Sequence, residues 1–310
     1  MTAALGGARR VISLLPAATE TAAALGAWER LVGVTHECDH PALARSLPCV
    51  TASRVDAQSP PADVDAAVGA ASAQGAPLFT LDRDRIAALA PDLIVTQGLC
   101  DVCAVSEGDV RAIAGAIDPA PAVLTISATR FDDVLSSIAA IAAALDCEDE
   151  GADLLAGIRV RLRQVHETLK KARAPRPRVA VIEWTDPLFV AGHWVPDMVR
   201  RAGGVDALAT PGAHSRRLQV DELRASAPDL IIVAACGYDV ARSAAEGARL
   251  LQGPAWDWAR PLPVWAMDGN ALTSRPGPRL CVGIEAMARV LHPALLTPVD
   301  PDSARPLTPS

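Results

Sequence analysis

One segment occurs twice, and that repetition constrains the fold more than any other feature of the chain. Ala90-Pro91-Asp92-Leu93-Ile94-Val95 returns as Ala227-Pro228-Asp229-Leu230-Ile231-Ile232-Val233. In each copy Pro and Asp precede a short run of Leu, Ile and Val, the pattern of a strand buried on both faces. A cysteine-bearing loop follows, through Cys100 and Cys103 in the first copy and Cys236 in the second. Arg9–Leu15 (RRVISLL) is likewise echoed by Arg178–Ile182 (RVAVI). Two similar halves predict two similar lobes with a site between them.

Short apolar strand runs alternate with helical stretches through both halves, which predicts an α/β fold: two Rossmann-like lobes with largely parallel sheets. Pro16 suits the first turn of a helix that Gly26 ends. From Thr129 the pattern changes. Apolar residues recur at helical spacing from Phe131 to Leu145 and, after an acidic break, from Leu154 to Leu169. That stripe predicts a connecting backbone helix, stopped by Pro175 and Pro177. The expected divisions are an N-terminal lobe over 1–129, the connecting helix over 130–174, a C-terminal lobe over 175–296, and a Pro-rich disordered tail over 297–310.

Composition excludes several function classes. Half of the 310 residues are apolar, enough to fill two cores, and the formal net charge of −7 offers no basic surface to nucleic acid. No run of about 18 apolar residues is present to cross a bilayer. The first apolar run is short and reads as a strand rather than an export signal. Seven cysteines, an odd number, fit a reducing compartment. The expected location is therefore cytoplasmic, or periplasmic should an export signal precede this start.

Ligands of parallel α/β sheets bind beyond the carboxyl ends of the strands. That rule selects the loops at Pro16–Glu20, His36–Pro41, Gln97–Ser106, Glu183–Trp194 with Cys236–Tyr238, and Asp268–Arg275. Aromatics are only 3% of the chain, so Trp184, Trp194 and Tyr238 in this set are candidates to line a ligand face. His193 sits between Gly192 and Trp194 in a selected loop. Cys38, Cys100, Cys103 and Cys236 are candidate thiolate ligands for zinc or an iron–sulfur cluster. Cys100-x-x-Cys103 is only half of a paired zinc motif, however, and buried thiols also serve as small hydrophobes. No GxSxG, P-loop or HExxH motif is present to support hydrolysis.

RVISLLPAATE, the VGVTHECDHP loop, the APDLIV strand, EWTDPLFVAGHW and Arg275-Pro276-Gly277-Pro278-Arg279 together resemble cobalamin-binding proteins of the helical-backbone, TroA-like class of solute-binding proteins. The resemblance covers roughly residues 9 to 294. It implies two rigid lobes joined by one long helix, a ligand cleft between them, and delivery to an ABC permease that docks on an acidic residue of each lobe. By motif, Pro16, Trp184 and Arg275 would face the corrinoid, with Asp268 beside Arg275. Gln97 stands where the family carries an aromatic.

The leading expectation is thus a non-enzymatic protein binding cobalamin or a related tetrapyrrole through Pro16, Gln97, Trp184, His193, Trp194, Asp268 and Arg275. Two alternatives stay open: a cysteine-ligated metal or iron–sulfur protein with a redox or sensory role, and a chelatase-like enzyme dependent on His36 or His193.

Overall fold

The computed structural model describes residues 7–98 and 106–308. Its contacts divide the chain into two units. Unit 1 holds residues up to Ala128 together with Asp132–Gly157, and unit 2 holds Thr129–Phe131 with everything from Ile158.

Unit 1 runs in order through β1 (Val11–Ser13), α1 (Pro16–Ala24), β2 (Leu31–Gly33), β3 (Thr51–Ser53), α2 (Pro61–Ala73), β4 (Phe79–Leu81), α3 (Arg83–Ala88), β5 (Leu93–Gln97), α4 (Glu107–Ala114), β6 (Ala122–Ile126) and α5 (Phe131–Ala144). Among the described residues β2, β1, β5 and β6 pair side by side, every pair parallel. Alternate residues of one strand feed two separate cores. Val11, Leu93 and Val95 join residues of α1 and α5, whereas Ile12 and Ile94 join Ile86, Val110 and Ile113. A sheet covered on both faces needs unbroken apolar strands, which is why the repeated segment reads as it does. β3 and β4 form a separate antiparallel pair.

The next helix, α6 (Glu148–Lys171), contains the division between the units. The stretch expected as one connecting helix is therefore two, α5 and α6. Between them Asp146 takes the left-handed conformation at φ 46°, which no continuous helix admits.

Unit 2 continues with β7 (Arg178–Thr185), β8 (Leu188–Val190), α7 (Val195–Arg201), β9 (Val205–Asp206), β10 (Arg216–Arg217), α8 (Val220–Ala225), β11 (Leu230–Val233), α9 (Val240–Gln252), β12 (Val264–Met267), α10 (Gly269–Leu272), α11 (Leu280–Leu291) and β13 (Ala304–Pro306). Its sheet is mixed, with the order β10-β8-β7-β11-β12-β13 and β9 beside β7. The parallel core expected from sequence is β7, β11 and β12. Antiparallel β8 and β13 flank it. Residues 304–306, inside the stretch expected to be disordered, are thus a sheet strand. Pro306 lies on the outermost strand, where a missing N–H costs the ladder nothing.

Residues 129–131 belong to unit 2, where an ion pair ties them to α7 (Val195–Arg201). Arg130 donates to both carboxylate oxygens of Asp197, at 2.9 and 3.1 Å, and Arg200 adds a third bond at 2.9 Å. Asp197 is 1% exposed. Burial alone would raise its pKa, but the bonds from Arg130 and Arg200 outweigh burial and hold it below the usual range.

Candidate functional site

The carboxyl ends of β7, β11 and β12 in unit 2 carry a dense set of aromatic and guanidinium groups. Trp184, near the end of β7, lies against Tyr238 with ring centroids 5.2 Å apart. Tyr238 is 3% exposed. The Arg242 guanidinium sits over the Tyr238 ring at 3.6 Å from its centroid, and Arg242 Nη2 lies 2.9 Å from the phenol oxygen. This cation–π contact and hydrogen bond hold the ring from its α9 side. Burial raises the Tyr238 pKa, so the phenol keeps its proton at neutral pH.

β12 supplies the other wall. Asp268 caps α10, its Oδ1 accepting from Ala271 N at 2.7 Å. Gly269 follows because a Cβ there would overlap the Ala235 carbonyl oxygen at the end of β11. That close approach lets Asn270 N donate to Tyr238 O at 2.9 Å. Asn270 Oδ1 in turn accepts from Arg275 Nη2 at 2.8 Å. Arg275 is 7% exposed, so its charge is fixed in place rather than solvated. Burial is the main influence on Asp268 and raises its pKa.

A third group lies around β8. The β7–β8 register slips between Ile182 and Trp184, so Glu183 is the extra residue of a bulge. Its carboxylate accepts from the Ser215 hydroxyl and the Gly192 N–H, yet burial outweighs both and pushes its pKa up to about 7. His193 adopts φ 52°, unusual for a residue with a Cβ. Its Nε2 lies 3.3 Å from His214 Nδ1. Trp194 is buried and donates its indole N–H to Thr273 O at 2.7 Å, two residues before Arg275.

The structure thus places Trp184, Asp268 and Arg275 at strand ends of one sheet. Trp194 supports the Arg275 loop from behind. Pro16 and Gln97 stand at the corresponding edge of unit 1. Pro16 opens α1 directly after β1, and Gln97 is the half-buried last residue of β5. Arg242 and His214 fall outside the loops chosen from sequence. Arg242 sits one turn into a helix, and His214 belongs to a loop before a two-residue strand with no apolar run to mark it.

The cysteine expectation fares differently. Cys100 and Cys103 lie outside the described residues. Cys38 is 4% exposed and packs its sulfur against the Thr19 and Thr35 hydroxyls, at 3.1 and 3.2 Å. Cys236 is exposed in unit 2. Among the described residues no three or more His, Cys, Asp or Glu side chains gather closely enough to hold a metal ion. No described helix is long and apolar enough to cross a membrane.

The family model described as "Periplasmic binding protein" matches residues 11–257. No curated protein matches the chain. Three solved structures illustrate the likeness. A periplasmic heme binding protein from Pseudomonas aeruginosa is 21% identical with a TM-score of 0.74, over 96% of this chain and 98% of that one. The periplasmic heme-binding protein BhuT, solved in complex with two hemes, is 26% identical with a TM-score of 0.69, over 94% and 100%. The periplasmic vitamin B12 binding protein BtuF of Vibrio cholerae is 22% identical with a TM-score of 0.64, over 93% and 98%. These are solute-binding proteins, not enzymes.

Proposed function

The chain belongs to the periplasmic binding protein family, substrate-binding proteins of the ABC-transporter type, and from that premise we propose that its solute is a planar tetrapyrrole, a corrinoid or a heme. The supporting observation is the unit 2 rim. Trp184, backed by the buried Tyr238, offers an aromatic face, and the Arg275 guanidinium is tied to the same rim through Asn270. A flat macrocycle would gain about 25 cal/mol per Å² of apolar face removed from water. Its polar margin, carboxylates on a heme or amides on a corrinoid, would meet Arg275 and Asn270. On this reading the bound solute is handed to an ABC permease. The location is the open part of this reading, cytoplasmic or periplasmic; delivery to a permease calls for the periplasmic side, and cell fractionation decides between them.

Titration with hemin and, separately, with cyanocobalamin, following tryptophan emission, tests the solute class. One of the two should quench at micromolar concentration, and Arg275→Ala should weaken that binding by roughly tenfold or more. Absence of quenching by both ligands would overturn the proposal, and the ligand that quenches decides between heme and corrinoid.

A further inference from the structure

Two imidazole nitrogens in unit 2 stand at a spacing that suits a shared ion. His193 Nε2 and His214 Nδ1 are hydrogen-bonded to one another at 3.3 Å, through a proton that an ion would displace, with the rings nearly perpendicular at 86°. Zinc binds imidazole nitrogen at about 2.0–2.1 Å, so two neighbouring ligands of a tetrahedral ion lie about 3.3 Å apart. Such a pair cannot occupy the two axial positions of one macrocycle iron, which lie on opposite faces of the ring. The spacing therefore suits a free ion and not a second role in holding a heme.

The backbone fixes this geometry from both sides. His193 N donates to Ala213 O at 2.6 Å, and Gly212 N donates to His193 O at 2.9 Å. Gly192 N donates to Ser215 Oγ at 3.1 Å. Any Cβ on Gly192 would collide with the backbone of residues 213–215. The segment carrying one imidazole is thus clamped, residue by residue, to the segment carrying the other. His193 is kept in its left-handed conformation by this clamp, and strain of that kind marks positions where a side chain is being aimed. His214 is exposed, which leaves room for water or a donor atom of a bound solute to complete the coordination.

We propose that His193 and His214 form a two-imidazole site for a first-row divalent cation of the Ni²⁺ or Zn²⁺ kind. The inference does not depend on the tetrapyrrole reading. The test is calorimetric titration of the untagged chain with Ni²⁺ in chelator-free buffer. The comparison variants are His214→Gln, His193→Asn, whose new side chain tolerates a positive φ, and His166→Gln on the exposed face of α6. One equivalent should bind in the micromolar range. His214→Gln and His193→Asn should each weaken it by about tenfold or more, and His166→Gln should leave it unchanged. Far-UV circular dichroism of His214→Gln, an exposed position, confirms that the loss is not unfolding. Absence of binding below about 100 µM, or equal affinity in His214→Gln, would overturn the proposal.

Discussion

The two copies of the Ala-Pro-Asp segment do the same work at the amino ends of their sheets and different work at the carboxyl ends. In unit 1 the Arg10 guanidinium bonds to Leu89 O at 2.6 Å and Ala90 O at 3.0 Å, while Asp92 accepts from Arg9 N and Arg10 N at 2.8 and 3.0 Å. In unit 2 Arg178 bonds to Ser226 O at 2.8 Å and Ala227 O at 3.3 Å, and Asp229 accepts from Arg178 N at 2.7 Å. Ala90 and Ala227 take φ values of 43° and 47°. The clip repeats because it satisfies backbone groups at a sheet margin, a need indifferent to what the protein binds. The opposite margins diverge. β5 ends at Gln97 and leads into Gly98, whereas β11 leads into Cys236, Tyr238 and the turn that Gly269 packs against. The shared ends keep two strands in register, and the unlike ends are where chemistry can differ.

The largest test of this contrast compares two glycines at the divergent margins. A Cβ at Gly98 would meet only side chains, Ser127 Oγ at 2.8 Å and Thr125 Cγ2 at 2.9 Å. At Gly269 it would meet the backbone of Ala235. Gly269→Ala should cost more than about 3 kcal/mol in urea unfolding and Gly98→Ala about 1 kcal/mol. Equal losses would mean that the unit 2 rim is no more tightly built than that of unit 1.

Glu183 gives the next effect. Its folded carboxyl titrates near 7, well above an unfolded glutamate. The folded state therefore holds a proton that the unfolded state has already lost, and stability falls as pH rises from the ordinary glutamate range through about 7. Glu183→Gln should remove that penalty, adding on the order of 3 kcal/mol at pH 8 and little at pH 4. Thermal unfolding across pH checks this, and an unchanged pH profile would refute it.

The clips themselves should differ modestly. Asp92 accepts two backbone N–H groups from Arg9 and Arg10, and Asp229 one from Arg178. Asp92→Ala is expected to cost about 2 kcal/mol and Asp229→Ala about 1 kcal/mol, measured by urea midpoint. The smallest effect has the opposite sign. Ala90→Gly and Ala227→Gly relieve left-handed backbone and should each stabilise by up to about 1 kcal/mol. A loss at either would show that the methyl group is packing rather than strained.

Legibility in the sequence followed the same divide. β1, β5, β7 and β11 were readable because a strand covered on both faces must be apolar along its length. β8, β9 and β10 were not: β9 and β10 span two residues each, and the order of β8 comes from its antiparallel pairing with β7. The break at Asp146 was visible as an acidic interruption but not as the end of a helix, because the apolar stripe resumes at helical spacing beyond it. β13 escaped notice because its order comes from the edge of β12 rather than from its own Pro-rich residues. At the site, Trp184, Asp268 and Arg275 stood out through scarcity and position. The Arg242 contact with Tyr238 and the meeting of His193 with His214 join segments far apart in sequence, and no local pattern announces them.

The pairing of β13 has a practical side. Asp268 N bonds to Ser303 O at 3.0 Å, Leu307 N to Val264 O at 2.7 Å, and Val264 N to Thr308 Oγ1 at 2.9 Å. A chain cut before Ser303 would turn β12 into a bare margin open to pairing with other molecules. Light scattering should then rise with protein concentration, while the full-length chain stays monodisperse over the same range.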